Sequence, residues 1–106
     1  MDLRNIYQNN KLSHACSLRR ILEFNFIENI FFMGGRSGTK EEFSFSSPKL
    51  KKIPLSSQEI RKIKNQLHGK PLYVSFDFDF IDSSLLRSVS CPEAGGPDFN
   101  TTFSLI

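Results

Sequence analysis

From residue 13 onward, the apolar positions of this chain fall into short, separately readable patterns. Ala15, Leu18, Ile21 and Leu22 recur at three- and four-residue steps, the period of one helix face. Ser13 stands where a hydroxyl accepts an otherwise unsatisfied amide of the first turn. Residues 29–33 are a short apolar run closed by Gly34-Gly35, which reads as a buried strand. Residues 39–45 predict one or two helical turns, stopped by Pro48, and residues 51–54 a second short strand. The strongest helical pattern covers residues 56–67. There Ser56 and Glu59 have the spacing of a capping box, Ile60, Ile63 and Leu67 form one stripe, and Gly69 supplies the stop. Residues 72–80 read as a strand, and residues 81–106 as loop with a further element near Thr102. The opening twelve residues are polar and irregular, with a turn at Asn9-Asn10. Strands alternating with helices predict parallel β-α units and an α/β fold.

Composition narrows the picture modestly. A chain of 106 residues allows one domain with a small core. Its eleven Phe and no Trp suit a dry core or a buried interface, because Phe carries no polar atom to satisfy. The formal charge is +3, and the basic residues gather at 49–52 and 61–64 without the interleaved aromatics that stack on bases. A solvated surface is therefore expected there, and no nucleic-acid partner. Cys16 and Cys91 lack metal or redox spacing, no apolar stretch has the length of a membrane span, and the N-terminus is not signal-like. These features lead to an expectation of a cytoplasmic protein with no membrane partner.

The segment that carries chemistry is Ser75-Phe76-Asp77-Phe78-Asp79. On a strand, Ser75, Asp77 and Asp79 would share one face and Val74, Phe76, Phe78 and Phe80 the other. Asp is depleted in strands, and two like charges on one face repel. A divalent cation relieves that repulsion, and carboxylate oxygens suit Mg²⁺ or Mn²⁺. The alternative is a pair of wetted aspartates past the strand's end, helping a turn. D-x-D after an apolar strand also occurs in sugar-nucleotide transferases and aspartyl-phosphate phosphatases, so the spacing alone leaves several chemistries open.

The surroundings are more specific. Residues 75–82, SFDFDFID, are followed ten residues on by Pro92-Glu93-Ala94-Gly95-Gly96. This resembles the signature of the ureohydrolase family of arginases and agmatinases, a serine-led D-x-D-x-x-D leading into P-E-x-G-G. Upstream, Ser13-His14-Ala15-Cys16 with Arg19-Arg20 is similar to the family's S-H-G/A element and its helix. Gly34 and residues 36–42, RSGTKEE, resemble the middle strand and loop of the agmatinase branch, and Asp2-Leu3-Arg4 the end of D-A-H-x-D. The resemblance runs the length of the chain, in order.

It implies a partial three-layer α/β/α sandwich with a parallel sheet, residues 1–106 forming part of one ureohydrolase domain. It also implies manganese-dependent hydrolysis of a guanidino compound such as agmatine to urea and an amine, a step of polyamine biosynthesis. In the family, two divalent cations, usually manganese, activate the attacking water. By resemblance Asp2, Asp77 and Asp79 match metal ligands, and His14 a histidine implicated in proton shuttling or substrate contact. Ser75 and Asp82 match positions that orient ligands or shape the loop. Glu93 is the candidate substrate-binding carboxylate, a wetted loop carboxylate being the alternative. The partners implied are a small guanidino substrate and further copies of the chain in a homo-oligomer.

The chain also departs from the family. The G-G-D-H element and the start of D-A-H-x-D have no counterpart, so three of six ligands are expected to be missing. Ser83 replaces the usual proline after Asp82, and Gly35 an apolar strand residue. A catalytically inactive remnant, with weak or no metal binding, is the competing expectation. An unrelated nucleotide-using D-x-D enzyme is the third, although no glycine-rich phosphate loop is visible.

Overall fold

The computed structural model describes residues 1–105, which divide into two compact units, one of Met1–Ile53 and a second that begins at Pro54.

The first unit is built on a parallel strand pair. β1 (Ile30–Met33) and β2 (Leu50–Ile53) align Ile30 with Leu50 and Met33 with Ile53. Parallel neighbours need a crossover, and the connection carries α2 (Lys40–Ser44). β1 stops at Gly34, whose φ of 78° lies in the left-handed region that glycine adopts at no steric cost. The lysines of the basic run have local partners. Lys51 Nζ stands 5.2 Å from the ring of its cross-strand partner Phe31. Lys52 Nζ donates to the carbonyls of Glu42 and Phe43 at the end of α2. Lys49 Nζ does the same for Leu22 and Phe24, just past α1 (Ser17–Ile21).

The helix expected from Ser13 is divided. A 3-10 turn, His14–Cys16, precedes α1, and Ser13 Oγ accepts from the Ala15 amide at 3.4 Å. The tight turn before it falls one residue earlier than expected. Gln8 and Asn9 both have positive φ, and Tyr7 and Asn10 exchange two backbone hydrogen bonds, as in a primed hairpin turn.

In the second unit α3 (Ser57–Leu67) turns Ile63 inward and ends before Gly69, whose φ is 74°. Only half of the expected capping box forms. Ser56 Oγ accepts from the Glu59 amide at 3.2 Å, but the Ser56 amide donates to the Pro54 carbonyl and Glu59 pairs with Lys62 instead. The element near Thr102 is α4 (Phe99–Leu105), started by Asp98 Oδ1, which accepts from the Thr101 amide at 2.6 Å.

Residues 72–80 are not a strand. Among the described residues the only sheet is the β1–β2 pair, residues 71–77 have no ladder, and Phe78–Phe80 is a 3-10 turn. A strand is stabilised by its neighbours rather than by its own sequence, and here the backbone bonds locally, the Phe80 amide to the Asp77 carbonyl at 3.1 Å. The dry Phe core is not found either. Among the described residues the buried apolar ones are Leu3, Cys16, Leu22, Ile63 and Ile81, with no Phe. Phe76 packs edge-on against Phe78 and Phe80 instead, at 5.5 and 5.9 Å between ring centres.

Candidate active-site segments

In the first unit, the short segment carrying Asp2 is pinned from two sides. On one side is the turn that bears His14. The Arg4 amide donates to the Ala15 carbonyl at 3.1 Å, and the Arg19 amide to the Asp2 carbonyl at 3.2 Å. Ser17 Oγ donates to the His14 carbonyl at 2.9 Å and lies 3.5 Å from Asp2 Oδ2. The Asp2 carboxylate and the His14 turn are thus neighbours of one hydroxyl. The His14 ring is exposed and meets the ring of Tyr7 edge-on at 6.1 Å.

On the other side is Glu42, a buried carboxylate that the sequence reading left out. Its Oε1 accepts from the Leu3 amide at 3.2 Å, an amide that also faces the Met1 carbonyl at 2.8 Å. Oε2 accepts from the Thr39 amide at 2.8 Å and the Thr39 hydroxyl at 3.1 Å, and Arg4 Nε stands 3.5 Å away. Burial pushes the Glu42 carboxyl upward. The amides of Thr39 and Leu3, the nearby terminal amine and the Thr39 hydroxyl outweigh it and hold the pKa below the usual carboxylate range. The signal was available: Thr39-x-x-Glu42 has capping-box spacing, and both arms of that box form.

In the second unit, Asp77 and Asp79 lie on a turn rather than on one face of a strand. Asp77 Oδ1 accepts from the Asp79 amide at 3.4 Å, the side-chain-to-backbone bond by which Asp competes with extended structure. Next to it stands the most tightly tied carboxylate of this unit. Asp82 Oδ2 accepts from the amides of Gly95 at 2.6 Å and Gly96 at 3.1 Å, and Oδ1 from the Ser84 amide at 2.9 Å. Hydrogen bonds from Ser84 first, then from the Gly95 and Gly96 amides, lower its pKa to about 2. Gly96 cannot be replaced in place: a Cβ there would stand 2.5 Å from the Phe80 carbonyl oxygen and 2.6 Å from the Asp82 amide nitrogen.

The two substitutions in the family pattern, Ser83 and Gly35, have a physical account. Ser83 donates its amide to the Glu93 carbonyl at 3.3 Å, a bond the usual proline could not make. Gly35 leaves room for the Phe32 ring and the Met1 side chain, which a Cβ would meet at 2.5 and 2.7 Å. Glu93 is half-buried on the loop held by Asp82 and Ser83.

The donor chemistry suits a hard divalent cation, since Asp2, Asp77 and Asp79 are all carboxylates. The number of donors gathered is smaller than a cage needs. Among the described residues, no three His, Cys, Asp or Glu side chains come together to hold a metal ion.

Comparison with known proteins accounts for the order of these segments. The chain is 41% identical over 103 residues to the N(1)-aminopropylagmatine ureohydrolase of Thermococcus kodakarensis, covering 93% of this chain and 35% of that protein. It is 32% identical over 99 residues to the agmatinase of Bacillus subtilis, covering 90% of this chain and 33% of that one. A crystal structure of a candidate agmatinase from Clostridium difficile superposes with a TM-score of 0.86 at 35% identity, over 98% of this chain and 38% of the other. The chain thus spans about a third of the length of the relatives it matches, and its fold is a partial arginase-like α/β fold. The family profile matches residues 1–106, and this chain belongs to the arginase family.

Proposed function

We propose that this chain is an agmatinase-like portion of a ureohydrolase, and that the reaction it serves is manganese-dependent hydrolysis of a guanidino compound to urea and an amine. The observation that carries this reading is the match to proteins named agmatinase and N(1)-aminopropylagmatine ureohydrolase along nearly the whole chain. Both names point to a guanidino group on a polyamine-like tail. Agmatine, yielding putrescine, is the substrate favoured, in a cytoplasmic step of polyamine biosynthesis.

In this reading Asp2, Asp77 and Asp79 would offer carboxylate oxygens to manganese, and the chemistry that the metal would supply is a lowered pKa for water, which would make it a nucleophile toward a guanidino carbon. His14, exposed on its turn, carries a proton between solvent and the reacting groups. Glu93 supplies negative charge for a cationic substrate, on a loop that Asp82 holds still. Each of these roles is inherited through the matching motif.

A second reading, a catalytically inactive remnant, is favoured by one observation: the described residues gather no three metal-ligating side chains. Urea release from agmatine and from N(1)-aminopropylagmatine with Mn²⁺ separates the two. The chain would be assayed alone and mixed with the part of Bacillus subtilis agmatinase outside the matched segment. Turnover only in the mixture, abolished by Asp77→Asn, supports the agmatinase-like reading. No turnover in either favours the remnant, and turnover by the chain alone shows that it gathers a full ligand set by itself.

A further inference from the structure

We infer that residues 72–77 are a pairing strand for a second copy of this chain, laid antiparallel across a two-fold axis at Ser75. Neither a metal nor the hydrolytic reading above enters this pairing. The run is open in both respects that strand addition requires. Residues 71–78 are all exposed. From Leu72 to Phe76, no backbone amide or carbonyl has a hydrogen-bond partner among the described residues. Pro71, which has no amide to donate, precedes the run, and the 3-10 turn at Phe78–Phe80 closes it. What lies between has the length of an ordinary strand.

The order of residues in the run selects the partner. Apolar side chains stand at Leu72, Val74, Phe76 and Phe78, symmetric about Ser75. An antiparallel copy centred on Ser75 therefore sets Val74 against Phe76, and Leu72 against Phe78 at the ends, all on one face. Such self-complementarity is what a two-fold interface demands, because the same patch serves both partners. Charge fixes the direction. A parallel copy in register would stack Asp77 on Asp77 at the strand spacing of about 4.8 Å. The antiparallel copy sets Asp77 opposite Tyr73 and brings the acidic end of each run beside Lys70 of the other.

Single cysteines read the register. Cys91 is exposed and Cys16 buried, so the full chain carrying Cys91→Ser is the background. Across the axis, the two copies of Ser75→Cys lie about 4.5–5.5 Å apart between α-carbons, within disulfide reach. Each Tyr73 faces the other copy's Asp77, so the two copies of Tyr73→Cys lie about 13 Å apart, beyond that reach. Mild oxidation should yield covalent dimer from Ser75→Cys and none from Tyr73→Cys alone, whereas Tyr73→Cys mixed with Asp77→Cys should cross-link. Amide exchange of the unsubstituted chain, followed as its concentration is raised, should slow at every second residue of 72–76, the mark of one added ladder. Equal dimer from Ser75→Cys and Tyr73→Cys would reveal a parallel copy and overturn the inference. No cross-link from Ser75→Cys, or exchange that concentration leaves unchanged, would overturn it as well. Protection that appears only on adding the part of Bacillus subtilis agmatinase outside the matched segment would assign the run to that partner and sink the second copy.

Discussion

Asp82 and Gly96 hold one another in two ways: the Gly96 amide donates to Asp82 Oδ2 at 3.1 Å, and the bare Gly96 α-carbon abuts the Asp82 amide nitrogen, where a Cβ would stand 2.6 Å away. The obstruction is backbone, which cannot rotate aside as a flexible side chain can. Gly96→Ala is therefore expected to destabilise the second unit by about 1–3 kcal/mol, in the range of overpacked sites. Chemical unfolding of the variant beside wild type measures it, and an unchanged midpoint would show that the 91–97 loop is free to move away.

The same carboxylate gives stability a defined pH dependence. Asp82 titrates at about 2 in the folded chain, below its ordinary value of 3.8. A group whose folded pKa is depressed contributes stability that is complete above the ordinary value and is lost as pH falls toward the folded one. Asp98 and Glu42 are shifted in the same direction. The thermal midpoint should hold steady from neutrality to about pH 5 and fall steeply between about pH 4 and 2. Asp82→Asn should flatten part of that fall, and identical pH profiles for variant and wild type would contradict the assignment.

At the start of α3, Ser56 supplies the accepting oxygen for the Glu59 amide, while Glu59 is turned to Lys62. Because only the serine arm of the box is present, the two positions should differ in effect. Ser56→Ala should cost about 0.5–2 kcal/mol. Glu59→Gln, which loses one partly exposed ion pair, should cost less than about 0.5 kcal/mol. Equal losses measured by denaturant titration would show that Glu59 caps the helix after all.

The stretch from residue 72 to 78 presents apolar side chains to water: Tyr73 is 87% exposed, Phe78 63% and Leu72 59%. Each such side chain left in water forgoes roughly 1.5–3 kcal/mol of burial, and a run without a ladder invites pairing between chains. The isolated chain should self-associate at micromolar concentration, with Val74→Lys shifting it toward monomer. Sedimentation velocity distinguishes the outcomes. A wild-type monomer with a sharp unfolding transition would show that these residues form a self-sufficient domain.

What the sequence made legible was local. The amphipathic stripe of α3, the apolar run of β1 and the turn around Gly34 each follow from residues within one window, and all three form. The aspartate pair was legible as chemistry but not as geometry. Alternation placed Asp77 and Asp79 on one face of a strand, but a ladder depends on distant partners, and the Asp77 side chain bonds the Asp79 amide instead. Glu42 was missed for a related reason. Its cap to Thr39 is three residues long and readable, whereas its bond to Leu3 spans 39 positions and becomes visible only when the chain is folded.

The lysines in and just before β2 have a consequence for the chemical reactivity of this surface. Lys49 and Lys52 each place their ammonium group on two backbone carbonyls, one pair beyond α1 and the other at the end of α2. Acylation of either amine removes its charge and weakens its hold on those carbonyls. Lys51, between them, lies against the face of Phe31. Three lysines nearly adjacent in sequence are thus unequal as nucleophiles. An amine-modifying reagent would mark Lys51 first and, on reaching its neighbours, would loosen the contacts that tie β2 to the ends of two helices.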